Sequence, residues 1–302
     1  MIKHVKTLAA CLSALLLAGC AASPTPAPTT TRYHVAMIAK STSTEFWSAV
    51  FAGAEAAATE YNMDLTITGS ESEEDYSSQN DLIEKAVEEG AQAIIFSASD
   101  YQKNAAAIDA AADKGVRIVV VDSAVNSSKV SAYVGADNYG AGQMAAKSAL
   151  KNVEGPLHVG LVNYNVNSPN AQEREEGVID TLTASGRAEV AATVYSVATP
   201  ESARAETLTM LARHPEINVL ISFNEAVSVG AAQAVSDSNR ADDLWMVAFD
   251  SNITTVDALH TGAVDAMVVQ NTYGMGYFSV ENAYKLLAGQ GSDVTRETET
   301  AT

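Results

Sequence analysis

From Tyr33 onward the chain repeats one unit: a short run of β-branched or apolar residues, a polar turn, then a longer amphipathic stretch. Periods of two and 3.6 alternate in this way when a parallel sheet is covered by helices on both faces, so the pattern predicts an α/β fold. Strands are expected at 34–39, 65–68, 93–97, 117–121 and 133–135, and then at 157–162, 188–195, 219–223, 245–249 and 266–270. Amphipathic segments between them include 45–60, 76–89, 139–151, 201–213 and 274–287. Ten strands strain the limit of one open sheet, which favours two sheets of about five. Gly90, Gly115 and Gly289 each fall just past a helical run, where a C-terminal cap needs a positive φ.

The segment before Tyr33 has a different character. Lys3 and Lys6 precede an apolar run from Leu8 to Ala18, which ends in Leu17-Ala18-Gly19-Cys20. A run this short falls well below the roughly twenty residues that span a bilayer. The arrangement reads as a signal peptide over 1–19, and its last residues resemble the lipobox of bacterial lipoproteins, in which Cys20 would be lipidated and become the first mature residue. Residues 20–32 then read as an anchored linker, because Pro24, Pro26 and Pro28 sit among Ala, Ser and Thr and no core can form. The remaining cysteine, Cys11, lies in the discarded segment, so the mature body has no disulfide, thiolate metal site or cysteine nucleophile.

Charge narrows the function. Against 37 acidic residues the chain carries 18 basic ones, a formal net charge of −19, and such a field repels nucleic acid. His34, His158, His214 and His260 show no metal-ligand spacing and no serine partner. The acidic run Glu73-Glu74-Asp75 is explained by the dipole of the helix it opens. Catalysis, a metal and a cofactor are therefore not expected.

In open parallel sheets, ligands bind beyond the carboxyl ends of the strands. The residues found there are Lys40 through Trp47, Ser70-Glu71, Ser99-Asp100, Asp122-Ser123, Asp137-Asn138, Asn163-Tyr164, Asn224-Glu225, Asp250-Ser251 and Gln270-Asn271. Most are neutral or acidic hydrogen-bonding groups, which suit a polyhydroxylated ligand whose hydroxyls both donate and accept. Phe46 and Trp47 offer a platform for the C–H face of a sugar ring, unless one of the two packs into the core.

Several of these segments carry a family resemblance in their order and spacing. They are Glu45-Phe46-Trp47, Val121-Asp122, Gly135 to Asn138, Arg174 to Gly177, Phe223-Asn224-Glu225, Ala248-Phe249-Asp250 and Val268 to Gly276. Over about 33–289 the chain resembles the periplasmic sugar-binding proteins of the ribose-binding type, with the type I periplasmic-binding-protein fold. The resemblance implies two Rossmann-like lobes, each a parallel sheet flanked by helices, joined by a multi-segment hinge. The first lobe would comprise 33–136 and 271–290, the second 137–270, with 291–302 left as a polar tail. Phe46 and Trp47 would stack on the sugar, Asp122 and Asp250 would accept from its hydroxyls, and Arg174, Asn224 and Gln270 would complete the site. Lys40, Thr44, Ser123, Asp137, Tyr164 and Glu225 are secondary candidates, with Tyr195 a further source of an opposing ring.

Two departures point away from ribose itself. Ser123 stands where the ribose-type pattern has an arginine, and Thr44 where it has an asparagine. The 197–200 loop also lacks the aromatic cap of the second lobe. The resemblance implies a monomer that delivers a monosaccharide to an ABC permease, or a related module that presents a sugar signal to a membrane kinase or chemoreceptor. A DNA-binding repressor of the same superfamily is disfavoured, because a lipobox and spacer occupy the place of its headpiece.

Overall fold

The computed structural model describes residues 32–291 and the backbone of 296–298 and 300–301; the signal peptide, Cys20 and the linker through residue 31 lie outside the described residues. The first half runs β1 (His34–Ala39), α1 (Glu45–Glu60), β2 (Asp64–Gly69), α2 (Tyr76–Glu88), β3 (Ala93–Phe96), α3 (Ala105–Asp113), β4 (Arg117–Val121) and β5 (Ala132–Ala136). The second runs α4 (Asn138–Asn152), β6 (Leu157–Asn163), α5 (Pro169–Ser185), β7 (Ala188–Tyr195), α6 (Pro200–Arg213), β8 (Val219–Ser222), α7 (Glu225–Asp237), β9 (Trp245–Phe249), α8 (Ile253–Thr261) and β10 (Ala266–Gln270). Then follow α9 (Thr272–Leu287), β11 (Arg296–Thr298) and β12 (Thr300–Ala301).

The strands build two sheets of the same design. One has the order β5-β4-β3-β1-β2 and the other β10-β9-β8-β6-β7, each parallel throughout. Central strands such as Ala-Ile-Ile-Phe at 93–96 are buried at every position, as expected for a sheet covered on both faces. Gly90, Gly115 and Gly289 have φ of 84°, 90° and 69°, the left-handed geometry that closes the preceding helices.

The segment expected to be a polar tail takes part in both sheets. Its strand β11 pairs in parallel with β5, and β12 pairs antiparallel with the end of β10. Edge pairing of this kind is made by main-chain groups, so it leaves no apolar pattern to read. Each sheet thus gains a sixth strand, and the chain passes between the sheets three times: between β5 and α4, between β10 and α9, and between β11 and β12.

Close helix packing holds the elements that carry the site. A methyl at Gly142 of α4 would collide with the carbonyl of Arg174 on α5, and one at Gly177 of α5 with the carbonyl of Tyr139. Gly53 of α1 and Gly276 of α9 have the same reciprocal relation, to Tyr273 and Val50. These glycines let the helix backbones touch, which sets the depth of Arg174 in one lobe and of the start of α1 in the other.

Candidate ligand-binding site

A narrow cavity of about 20 Å³, room for about one water between the side chains as they stand, lies where the carboxyl ends of the two sheets meet. From the first sheet it is lined by Lys40 after β1, Thr44, Phe46 and Trp47 at the start of α1, Glu73 before α2, and Asp122 after β4. The second sheet contributes Tyr164, Asn170, Arg174, Asn224, Glu225, Ala226, Asp250 and Gln270.

Two aspartates hold equivalent places in the two lobes. Asp122 follows β4 and Asp250 follows β9, with φ of 60° and 63°, a left-handed conformation uncommon outside glycine. Each amide is anchored to the neighbouring strand, Asp122 N–H donating to Val134 O and Asp250 N–H to Val268 O, both at 2.9 Å. Their carboxylates differ in how far they are occupied. Asp122 accepts from Ser97 Oγ (3.1 Å), Asn170 Nδ2 (3.1 Å) and Lys40 Nζ (3.2 Å). Asp250 accepts from Gln270 Nε2 at 2.7 Å, and Arg174 supplies the nearby positive charge. Burial pushes the Asp250 carboxyl up to about 6, against the pull of Arg174 and Gln270.

The two buried cations come from opposite lobes. Burial works to lower the pKa of Lys40, but Asp122, followed by Tyr164 and Glu73, outweighs it and raises the value. Where Ser123 replaces the arginine of the resembling pattern, Lys40 of the first strand thus supplies the cation at Asp122. Arg174 donates through Nε to Asn138 Oδ1 (3.0 Å) and through Nη1 to Phe223 O (2.7 Å), and its guanidinium lies 4.9 Å from the Phe249 ring centre. Its Nη2 is buried without a protein partner, as is Oε1 of Gln270. A spare donor and a spare acceptor on cavity-lining side chains are what a hydroxylated guest would satisfy.

Trp47 is fully buried, stacked on Phe51 and edge-on to Phe46 at 5.2 Å, so it belongs to the core as well as to the cavity wall. Its Nε1 donates to Glu73 at 3.3 Å, and Asn224 Nδ2 reaches the other oxygen at 3.4 Å. Burial raises the Glu73 pKa. Tyr164 is buried too, with its hydroxyl 3.1 Å from Asn170 Oδ1, and it provides a ring from the second lobe.

Of the expected residues, eleven line the cavity: Lys40, Thr44, Phe46, Trp47, Asp122, Tyr164, Arg174, Asn224, Glu225, Asp250 and Gln270. Some are already engaged. Thr44 Oγ1 caps α1 by accepting from Trp47 N–H, and both carboxylate oxygens of Glu225 are taken by backbone amides. Ser123 and Asp137 stand outside. Ser123 is buried beneath the strand ends, and Asp137 is an exposed N-cap that accepts from Gly140 N–H at 2.8 Å. Tyr195 is also outside, with its hydroxyl on Glu175.

The sequence reading missed Glu73, Asn170 and Ala226. The helix-dipole explanation of Glu73 overlooks its position beyond the end of β2, which was the available signal. Asn170 carried only a faint one, the Ser-Pro-Asn opening of α5.

The duplicated parallel sheets, the triple crossing and the cavity between the strand ends define a two-lobed α/β binding protein that encloses a small ligand. Residues 35–291 match the family model of the periplasmic binding protein domain, and the chain belongs to that family. Among curated proteins, it is 31% identical over 121 residues to the D-ribose/D-allose-binding protein of Pseudomonas aeruginosa, covering 40% of this chain and 38% of that protein. A sugar transporter from Clostridium phytofermentans is 31% identical, with a TM-score of 0.83 over 89% of this chain and 98% of its own. A structure described as a XylFII-LytSN complex is 27% identical, with a TM-score of 0.83 over 90% of this chain and 98% of that one.

Proposed function

We propose that this chain is an extracytoplasmic solute-binding lipoprotein that captures a monosaccharide or similar polyol between its lobes and delivers it to an ABC importer. The observation that carries the reading is the cavity itself. Donors and acceptors from the strand ends of both sheets converge on it, and Arg174 Nη2 and Gln270 Oε1 are buried there without protein partners. Phe46 and Trp47 face the C–H side of the ring. Asp250 and Gln270 accept from hydroxyls, Arg174, Asn224 and Lys40 donate, and contacts to both lobes make ligand and closure mutually stabilising. No chemical step is required of the site.

Lipid on Cys20 would tether a monomeric body to the membrane through the proline-containing linker, leaving the lobes free to meet a permease. A second reading, a sensor that presents sugar to a membrane kinase, draws on the likeness to the XylFII-LytSN complex.

A thermal-shift panel of pentoses, hexoses, deoxysugars and inositols on the soluble body tests the binding function. At a thousand times its dissociation constant, a ligand adds about 4 kcal/mol of stability. One clear hit supports the reading, and no shift from any of them in a folded sample refutes it. Gene deletion then separates the roles: an importer subunit is needed for uptake of labelled sugar, whereas a sensor is needed only for the transcriptional response.

A further inference from the structure

The mouth of the cleft is bridged by carboxylates seated on backbone amides of the opposite lobe. Glu225, the first residue of α7, accepts from Glu45 N–H (3.2 Å) and Phe46 N–H (2.7 Å), the first two amides of α1. Glu45 in turn reaches back across the cleft to Ile253 N–H, the first amide of α8, at 3.3 Å. Glu74 accepts from Ala198 N–H at 2.8 Å.

The local caps leave these amides available. Amides in the first turn of a helix have no partner within it, and the helix dipole favours an anion there. In α1 the Thr44 cap satisfies Trp47 N–H, which leaves the first two amides to Glu225. In α8 the Asn252 cap satisfies Thr255 N–H, which leaves Ile253 N–H to Glu45. Other bridges between the lobes are Asn165 Nδ2 to Ser99 O (2.8 Å), Tyr101 N–H to Asn167 O (3.2 Å) and, within the cavity wall, Asn170 Nδ2 to Asp122 (3.1 Å) and Asn224 Nδ2 to Glu73 (3.4 Å).

We propose that Glu45, Glu74 and Glu225 form a clasp that sets how long the site retains its ligand, acting through the bonds that hold the lobes together. Glu45 and Glu74 do not line the cavity; Glu225 does, but each of its oxygens already accepts from an α1 amide. The inference rests on the sugar-binding reading. It adds that affinity depends on residues that bind the other lobe.

The test compares wild type with Glu225→Gln and with the double variant Glu45→Gln/Glu74→Gln, using whichever sugars the panel identifies. Loss of charge-assisted bonds formed only on closure lowers the closed population, and apparent affinity falls with it. The expected result is affinity about tenfold weaker for each variant, through faster dissociation and by the same factor for different sugars. Affinity within twofold of wild type for the double variant would overturn the clasp.

Closure is also read without ligand. The soluble body has no cysteine, so dyes at Lys85→Cys in α2 and Arg213→Cys in α6 report lobe separation by single-molecule energy transfer. The triple glutamine variant should lose closed population, and identical distributions would refute the proposal even if no sugar binds. Absence of sugar binding in wild type would count instead against the function proposed above.

Discussion

Replacing Asp250 with asparagine should make the ligand-free protein more stable while weakening its hold on sugar. Burial pushes the carboxyl up from its ordinary 3.8 to about 6. Each unit corresponds to about 1.4 kcal/mol, so the ionised group costs folding about 3 kcal/mol at neutral pH. The sign follows from the raised value. Below about pH 4 the group is protonated in both states and the cost vanishes; it grows as pH rises through about 6 and is constant above. Asparagine keeps the shape, tolerates the 63° φ, and still accepts from Gln270 Nε2. Thermal denaturation from pH 4 to 8 should show the variant melting above wild type at pH 7, by several degrees for a chain of this size, with the gap closing toward pH 4. Calorimetric titration should show sugar affinity lower by about ten- to a hundredfold, from loss of a charged acceptor worth about 1.5–3 kcal/mol. A variant that melts at or below wild type at pH 7, or a gap independent of pH, would show that the Asp250 carboxyl is not destabilised by burial.

Other perturbations probe the buried ion pair, the helix contacts and the anchor. Lys40→Met leaves the buried Asp122 carboxylate without its cation and should cost about 3–5 kcal/mol in denaturant unfolding, with Lys40→Met/Asp122→Asn recovering most of the loss. Gly142→Ala drives a methyl into the backbone of Arg174, so sugar affinity should fall together with melting temperature, whereas Gly155→Ala, strained by its φ of 75° but placed before β6 at the opposite end of the strand from the cavity, should lower melting temperature and leave affinity unchanged. Cys20→Ser should move the protein from the membrane to the soluble fraction on cell fractionation, and continued retention would contradict the lipoprotein reading.

Most of the sheet architecture was legible because each βα unit is encoded locally. Strands β1, β4, β7, β9 and β10 begin and end where apolar runs do, and the glycines past the helices mark their ends. Strands β11 and β12 left no such trace, since they join sheet edges through the main chain. At the site, position beyond a strand end located most of the cavity wall, yet it did not reveal what each side chain would do there. Asp137 and Thr44 were drawn into helix caps, and Glu225 was drawn to amides about 180 residues away in sequence. Glu73 followed the opposite course, from apparent helix-capping acid to cavity wall. Such outcomes depend on how the two lobes meet, a long-range relation that no local pattern carries.

The most direct test of sugar capture between the lobes is a crystal structure of the soluble body with the sugar that gives the largest thermal shift. The expected result is one ring enclosed between the lobes, with hydroxyls on Asp250, Gln270 Oε1 and Arg174 Nη2 and a C–H face toward Phe46 or Trp47. A sugar bound elsewhere, or bound to one lobe with Arg174 and Gln270 still unpaired, would contradict it.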